Sequence, residues 1–277
     1  FFASMGTHEK VEEIITNAVS KLPCFENILQ LKMDSLSDLE KQLLMEEHFI
    51  SKEYLDSDVK YIYYCPREGF SLMINEEDHL RMQVIVSGLE FLSAYRIVEQ
   101  KDRFLATKLH YAYHPRYGFL TSCPTNVGTG MRASAMVHLP ALQLTKELNS
   151  ALETANKLGI VCRGAYGEGS ESMAHLFQIS NQQTIGLREI EIIALIGYAA
   201  HALINMEKRA RESLWNSQRS RLEDKIGRAF GILKYCKEIS TEEAMELLSF
   251  IRLGVSMGII TTLSLSELNQ LMVEVQT

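Results

Sequence analysis

Near the start of the chain, apolar residues recur at helical spacing. Val11, Ile14, Ile15, Ala18 and Val19 share one face, which predicts a helix over 8–22. A second helix is predicted over 37–47, with Ser37 as its N-cap. The period then changes. Val59-Lys-Tyr-Ile-Tyr-Tyr is rich in β-formers, Arg67-Glu-Gly reads as a turn, and Phe70-Ser-Leu-Met-Ile alternates. A hairpin is therefore expected to lead into Asn75-Glu-Glu-Asp, followed by a strand over 81–86 and a long helix over 89–109.

Strands are predicted over 118–122 and 133–139, on either side of a Gly-rich turn. Residues 140–158 read as helix with a break near Asn149, and strands over 158–163 and 172–180 form a pair joined by the loop 164–169. From Leu187 onward the pattern is helical. Ile190, Ile193, Ile196 and Ile204 fall on one broad apolar face, and the charge-dense stretch 207–228 keeps Leu214, Leu222 and Ile226. Gly231 interrupts it, and Thr241-Glu-Glu-Ala opens a new helix. Short strands joined by turns, then helices, predict an α+β fold: a mostly antiparallel sheet flanked by helices, with a C-terminal all-helical extension. A composition shift near Ala210 divides the chain into 1–210 and 211–277.

Composition narrows the function classes. With 277 residues, 46% hydrophobic and 23% charged, the chain has the balance of a soluble globular protein with a full core. A net charge of -7 argues against general affinity for nucleic acid or anionic membrane. No apolar run reaches the roughly 18 residues of a membrane span; the most apolar stretch, 190–204, is broken by Glu191 and His201. The first residues lack a basic leader and a long apolar region, so no secretory signal is expected. Cys24, Cys65, Cys123, Cys162 and Cys236 are odd in number and lack CxxC spacing, which suggests reduced thiols in a cytoplasm rather than a disulfide frame or a metal site.

Three stretches carry candidate chemistry. Cys123-Pro-Thr-Asn-Val-Gly-Thr-Gly-Met-Arg132-Ala-Ser combines a thiol, a Gly-rich turn and an arginine. Asn75-Glu-Glu-Asp-His-Leu-Arg81 lies upstream and Arg163-Gly-Ala-Tyr-Gly-Glu168 downstream. No GxxxxGK[ST], HRD, DFG or strand-linked GxGxxG occurs. Arg81, Arg132 and Arg163 each fall where a strand meets a loop; together with magnesium, such guanidinium groups can neutralise a triphosphate and hold its γ-phosphoryl group in line. Carboxylates suit a guanidinium acceptor, each accepting parallel N–H bonds, and a carboxylate can take its proton as an N–P bond forms. Among Glu76, Glu77 and Asp78, strand alternation would turn at least one into the cleft, and Glu168 is flanked by glycines. The bland readings are surface ion pairs for the arginines, a solvated turn for the acids and a small buried hydrophobe for Cys123. His48, at the end of a helix, is a nucleotide contact or a helix cap.

These motifs resemble those of the phosphagen (guanidino) kinases, over most of residues 36–185 and in the family's order; Lys41-Gln-Leu-Leu-Met-Glu-Glu-His48-Phe resembles its nucleotide-contacting histidine segment. Within that superfamily, Arg132-Ala-Ser-Ala-Met-Val-His-Leu-Pro-Ala-Leu, Tyr166-Gly-Glu-Gly-Ser-Glu171 and Leu176-Phe-Gln-Ile-Ser-Asn-Gln are most similar to the bacterial protein-arginine kinases of the McsB type. The resemblance implies a glutamine-synthetase-like catalytic sheet and transfer of the ATP γ-phosphoryl group, with Mg, to arginine side chains of proteins. It implies Glu77 and Glu168 on the substrate guanidinium, with Glu77 favoured as base, and Cys123 as a positioning contact. ATP would be bound by His48, Arg81, the segment Arg132, Ala133, Ser134, Ala135 and Met136, and the segment Arg163, Gly164, Ala165, Tyr166, Gly167 and Glu168. It further implies marking of substrates for Clp proteolysis in protein quality control and stress response, a zinc-binding activator protein as partner, and a homodimer formed through the helical tail. The family's Ser-x-Arg-x-Arg and the branch's Arg-Asp-x-x-Arg-Ala motifs are absent, so the resemblance implies missing segments at both ends. A kinase of free arginine or another small guanidine, and a pseudokinase or phosphoarginine adaptor, are the alternatives.

Overall fold

A computed structural model describes residues 5–22, 27–55, 61–164 and 173–275. The chain forms two compact units: Phe1–Met131 with Thr184–Glu189, and Arg132–Gln183 with Ile190–Thr277.

The first unit opens with helix α1 (Met5–Val19), which stops three residues short of the predicted end; Ser20 to Leu22 close it with turn bonds. Strand β1 (Leu29–Lys32) follows, then α2 (Asp38–Glu46) and the short α3 (Lys52–Leu55). Ser37 caps α2 as predicted, in a reciprocal capping box with Glu40. Strands β2 (Tyr61–Cys65), β3 (Phe70–Ile74) and β4 (Leu80–Val84) complete an antiparallel sheet in the order β1-β2-β3-β4. Gly69 makes the β2–β3 turn at φ +60, where a Cβ would lie 1.9 Å from the Ile85 carbonyl oxygen, so this turn admits glycine alone.

β3 is buried at every position, unlike the half-buried strand its alternation suggests. Phe70, Leu72 and Ile74 pack with Ile15, Val19 and Leu105, whereas Met73 packs with Met33, Leu44, Ile50 and Tyr54. Helices thus cover both sheet faces, and each large apolar side chain on β3 contributes about 1.5–3 kcal/mol through burial. Helix α4 (Phe91–Ala106) supplies Leu105 and Lys101. Lys101 is 3% exposed; its charge is met by Glu68 and by the Phe70 ring, 4.8 Å away. A two-stranded hairpin, β5 (Tyr113–His114) with β6 (Gly118–Phe119), replaces the longer strand expected over 118–122, because the chain turns away at Thr121 to enter the Gly-rich loop.

The second unit holds β7 (Ser134–His138), β8 (Ile160–Gly164) and β9 (Leu176–Asn181) in the antiparallel order β7-β9-β8. Val137, Phe177, Ile179 and Ile160 bury one face of this sheet. The segment after β7 splits into α5 (Pro140–Leu144) and α6 (Leu148–Lys157); the break falls at Lys146, which takes φ +63, rather than near Asn149.

Helix α7 (Glu189–Tyr235) runs straight through Gly231, whose cost of about 1 kcal/mol relative to Ala is carried by the buried flanking Ala229 and Ile226. Its buried stripe is Ile192, Ile193, Ile196, Ala199, Ala200 and Leu203; Ile190 points outward and is 48% exposed, so the apolar face is rotated from the predicted one. By length and composition this helix holds an 18-residue window apolar enough to cross a membrane, and its stripe from Ile192 to Leu203 is buried. It kinks at Gln218, where the Ser217 hydroxyl donates to the Ser213 carbonyl, a back-bond that bends helices. Helices α8 (Thr241–Ser256) and α9 (Leu265–Glu274), capped by Ser240 and Ser264, pack Met245, Leu248, Ile251, Leu268 and Met272 into one core with Ala229.

Candidate active site

In the first unit the acidic motif is a turn, not a strand. Asn75 adopts φ +57, which asparagine tolerates, and its N–H donates to the His79 carbonyl at 3.1 Å. Its side chain bonds the His79 ring and the His8 carbonyl. The three acids then part company. Glu76 is turned inward, its side chain 5% exposed; one oxygen accepts from Ser51 and from Arg81, both at 2.6 Å, and the other accepts the Glu77 N–H at 2.8 Å. Glu77 is exposed. Asp78 accepts the Ser122 N–H at 2.6 Å. Strand alternation therefore gives the wrong reason for their divergence: turn geometry separates an anchor, an exposed carboxylate and a tether.

The tether leads to the thiol. Ser122 precedes Cys123, whose sulfur lies 2.9 Å from the Thr125 hydroxyl and whose carbonyl accepts from Thr121 and from the Asn126 N–H. Gly128 sits at φ +122; a Cβ there would come within 2.7–2.9 Å of Thr184 and Ile185 backbone atoms. Phe119 exchanges both backbone hydrogen bonds with Gly128, and the Thr184 hydroxyl bonds the carbonyls of Thr125 and Val127. The thiol loop is thus clamped from two sides, and the glycine is needed for close approach as well as for its φ.

His48 follows α2 at φ +60, and its carbonyl accepts from Gln83 on β4. Desolvation holds its imidazole below the usual histidine range. Arg81 and Gln83, two apart on β4, share a sheet face, so His48 is tied to the face that carries Arg81.

In the second unit three of the nucleotide candidates, Ser134, Met136 and Arg163, share one sheet face. Met136, Gln178 and Arg163 are directly opposite one another across β7, β9 and β8, and Ser134, Ser180 and Val161 form the next row. Arg132, just ahead of β7, donates to the Ser180 hydroxyl at 3.0 Å, and the Ala133 N–H donates to the Asn181 side chain at 2.8 Å. Ala135 alternates to the opposite face with Cys162, whose thiol burial pushes up to about 11, consistent with packing rather than reactivity. Gly164 ends β8; Ala165, Tyr166, Gly167 and Glu168 lie outside the described residues. Sequence reasoning missed Ser51, which meets Glu76, and Thr184, which pins the thiol loop. Neither belongs to a motif, so only the fold could reveal them.

A family model for the ATP:guanido phosphotransferase C-terminal catalytic domain matches residues 10–210, and one for the protein-arginine kinase McsB C-terminal domain matches residues 219–277. A protein-arginine kinase of Pelotomaculum thermopropionicum is 46% identical over 272 residues, covering 97% of this chain and 76% of the relative. That of Bacillus subtilis is 41% identical over 280 residues, covering 99% and 77%. The chain belongs to the protein-arginine kinase branch of the ATP:guanido phosphotransferase family.

Solved structures add the fold. The kinase resembles the duplicated taurocyamine kinase of Schistosoma mansoni with bound transition-state-analogue components (24% identity, TM-score 0.69, 81% of this chain and 34% of that chain). It also resembles lombricine kinase (23% identity, TM-score 0.63, 76% and 62%). The phosphoryl donor of the family is ATP with Mg2+. Among the described residues no three His, Cys, Asp or Glu side chains are grouped to hold a metal ion; Arg132, just ahead of β7 and bonded to Ser180, has the planar N–H fork whose chemistry fits a phosphate. Such an ion is held largely by substrate phosphates and water.

Proposed function

We propose that the kinase transfers the ATP γ-phosphoryl group to arginine side chains of proteins, with Glu77 as base. The acceptor guanidinium is held by the Glu77 and Glu168 carboxylates and contacted by Cys123. As a guanidinium nitrogen bonds to the γ-phosphorus, the bond from that phosphorus to the ADP oxygen breaks, and the nitrogen's proton passes to Glu77. His48, Arg81, the segment 132–136 and the segment 163–168 bind the nucleotide, and Mg2+ supplies charge neutralisation on the phosphates when bound. The observation that carries the acceptor side is the Asp78–Ser122 bond, which links the turn presenting exposed Glu77 to the loop presenting Cys123. The 1–210 segment acts as the catalytic domain and 211–277 as a helical dimerisation domain. The kinase works in the cytoplasm, with a zinc-binding activator protein, and marks substrates for Clp proteolysis.

The test is incubation of the kinase with Mg·ATP and a protein substrate, then mass spectrometry under conditions that preserve acid-labile phosphoarginine. Phosphoarginine on the protein is expected. Transfer to free arginine alone, or to Ser and Thr alone, refutes the reading.

A further inference from the structure

A buried polar cluster joins the nucleotide-side sheet to helix α8 within the second unit. Ser249 on α8 is fully buried, and two imidazoles converge on its hydroxyl oxygen: His138 Nε2 at 2.8 Å and His175 Nδ1 at 2.7 Å. A serine hydroxyl has one proton to donate and lone pairs to accept. It can therefore donate to one ring and accept the N–H of the other, an arrangement available when both rings are neutral. The surroundings favour that state: burial first, then Lys225 near His175 and Arg252 and Arg211 near His138, hold both imidazoles below the usual range.

The cluster fixes more than itself. His138 is the last residue of β7, on the same pleat face as Ser134 and Met136. His175 opens the other side: it and Ala174 both sit at left-handed φ, +56 and +58, a costly pair for residues with a Cβ. The step is held by the His175 ring, 5.0 Å from Phe250 and edge-on to it, and by the His175 carbonyl, which accepts the Leu139 N–H at 3.0 Å. The next residue, Leu176, pairs with His138 and starts β9. The register of β7 on β9 decides which side chains reach the polar face, and a one-residue slip would exchange Ser134 and Met136 for Ala135 and Val137.

We propose that Ser249 is a positioning residue of the kinase: through His138 and His175 it makes the C-terminal helical region set the β7–β9 register that presents Arg132, Ser134 and Met136 to ATP. This rests on the reading that the 132–136 segment binds the nucleotide. Nothing in the local sequence around Ser249 marks it, because its partners lie 111 and 74 residues away in the chain.

Steady-state kinetics on the full chain test it. Ser249→Ala is expected to raise KM for ATP about fivefold, with kcat and KM for the protein substrate within about twofold. Ser249→Cys, near in volume and keeping a weak donor and acceptor, gives an intermediate KM. Amide hydrogen exchange in Ser249→Ala speeds about tenfold across β7 and β9 and stays unchanged across β2 and β3. An unchanged ATP KM in folded Ser249→Ala overturns the proposal, as does uniform acceleration of exchange in both sheets. If Ser249→Ala does not fold, Ser249→Cys decides by the same two readouts. Arg132→Ala separates the two levels: an unchanged ATP KM there refutes the nucleotide reading itself, whereas a raised KM there with none in Ser249→Ala refutes only the positioning role.

Discussion

The two units hold their candidate groups by opposite means. In the first, Glu77 and Cys123 sit on turns, and the turns are fixed by polar tethers near the surface: Glu76 to Arg81 and Ser51, Asp78 to Ser122, Thr184 to the thiol loop. In the second, Arg132, Ser134, Met136 and Arg163 sit on or beside strands, fixed by ladder register, an apolar back face and buried polar groups. The contrast matches the tasks proposed. A proton acceptor needs an exposed carboxylate whose neighbours, not itself, bear the structural load. A phosphate surface needs rigid spacing, which a sheet supplies. One consequence is that damage to the first unit should appear in chemistry and damage to the second in stability.

The largest effect should come from Glu77→Gln, which removes the base and leaves the Glu76 and Asp78 tethers intact; kcat falls about 10³-fold, with an unchanged melting curve. A melting point that drops with activity would show Glu77 to be structural. In the second unit, Glu207 is 2% exposed and accepts the Ala141 and Leu142 N–H groups at 3.1 and 2.9 Å, with Arg211 at 2.8 Å. Glu207→Ala should cost about 2 kcal/mol in urea unfolding, because it strands the α5 N-terminal N–H groups and a partly buried guanidinium; a cost below about 0.5 kcal/mol would place these groups in water.

Acid should act on the same unit. His175 titrates near about 6.5 in the unfolded chain but is held down to about 4 in the fold by burial and Lys225. Between those values the unfolded chain binds more protons, so stability falls as pH is lowered, by about 2 kcal/mol from about pH 7 to about pH 5. A flat profile would mean that the ring is hydrated. Asp78→Ala should lower kcat about tenfold with stability within about 0.5 kcal/mol, since the freed Ser122 N–H is near solvent and what is lost is the placement of the thiol loop against Glu77. Cys123→Ser, which keeps a small polar contact, should cost only a few-fold in kcat, about 1 kcal/mol or less. A loss as large as that of Glu77→Gln would give the thiol a direct part in the transfer.

Much of the fold was legible because its signals are local. The capping at Ser37, the β-rich 61–65 and 70–74 segments, the Arg67-Glu-Gly turn and the new helix at Thr241 all depend on residues within a turn of one another. The predictions that shifted depend on distant partners. Ile190 is apolar and in phase with Ile193, yet the packing of α7 rotates it outward; Gly231 reads as a breaker, yet buried neighbours carry the helix through it. The site divides in the same way. Its motifs were visible, and their resemblance to those of the guanidino kinases implied the reaction class.

The sequence alone determined the residue types at the site, the antiparallel α+β class and the family resemblance, since each is written in short-range pattern. Only the tertiary structure decided which of three adjacent acids is an anchor, which is exposed and which is a tether. It alone brought Thr184 to the thiol loop, and Ser249 between His138 and His175. The reason is physical: a hydrogen bond acts over about 3 Å of space and is blind to the sequence separation of 44 from Asp78 to Ser122, or of 111 from His138 to Ser249.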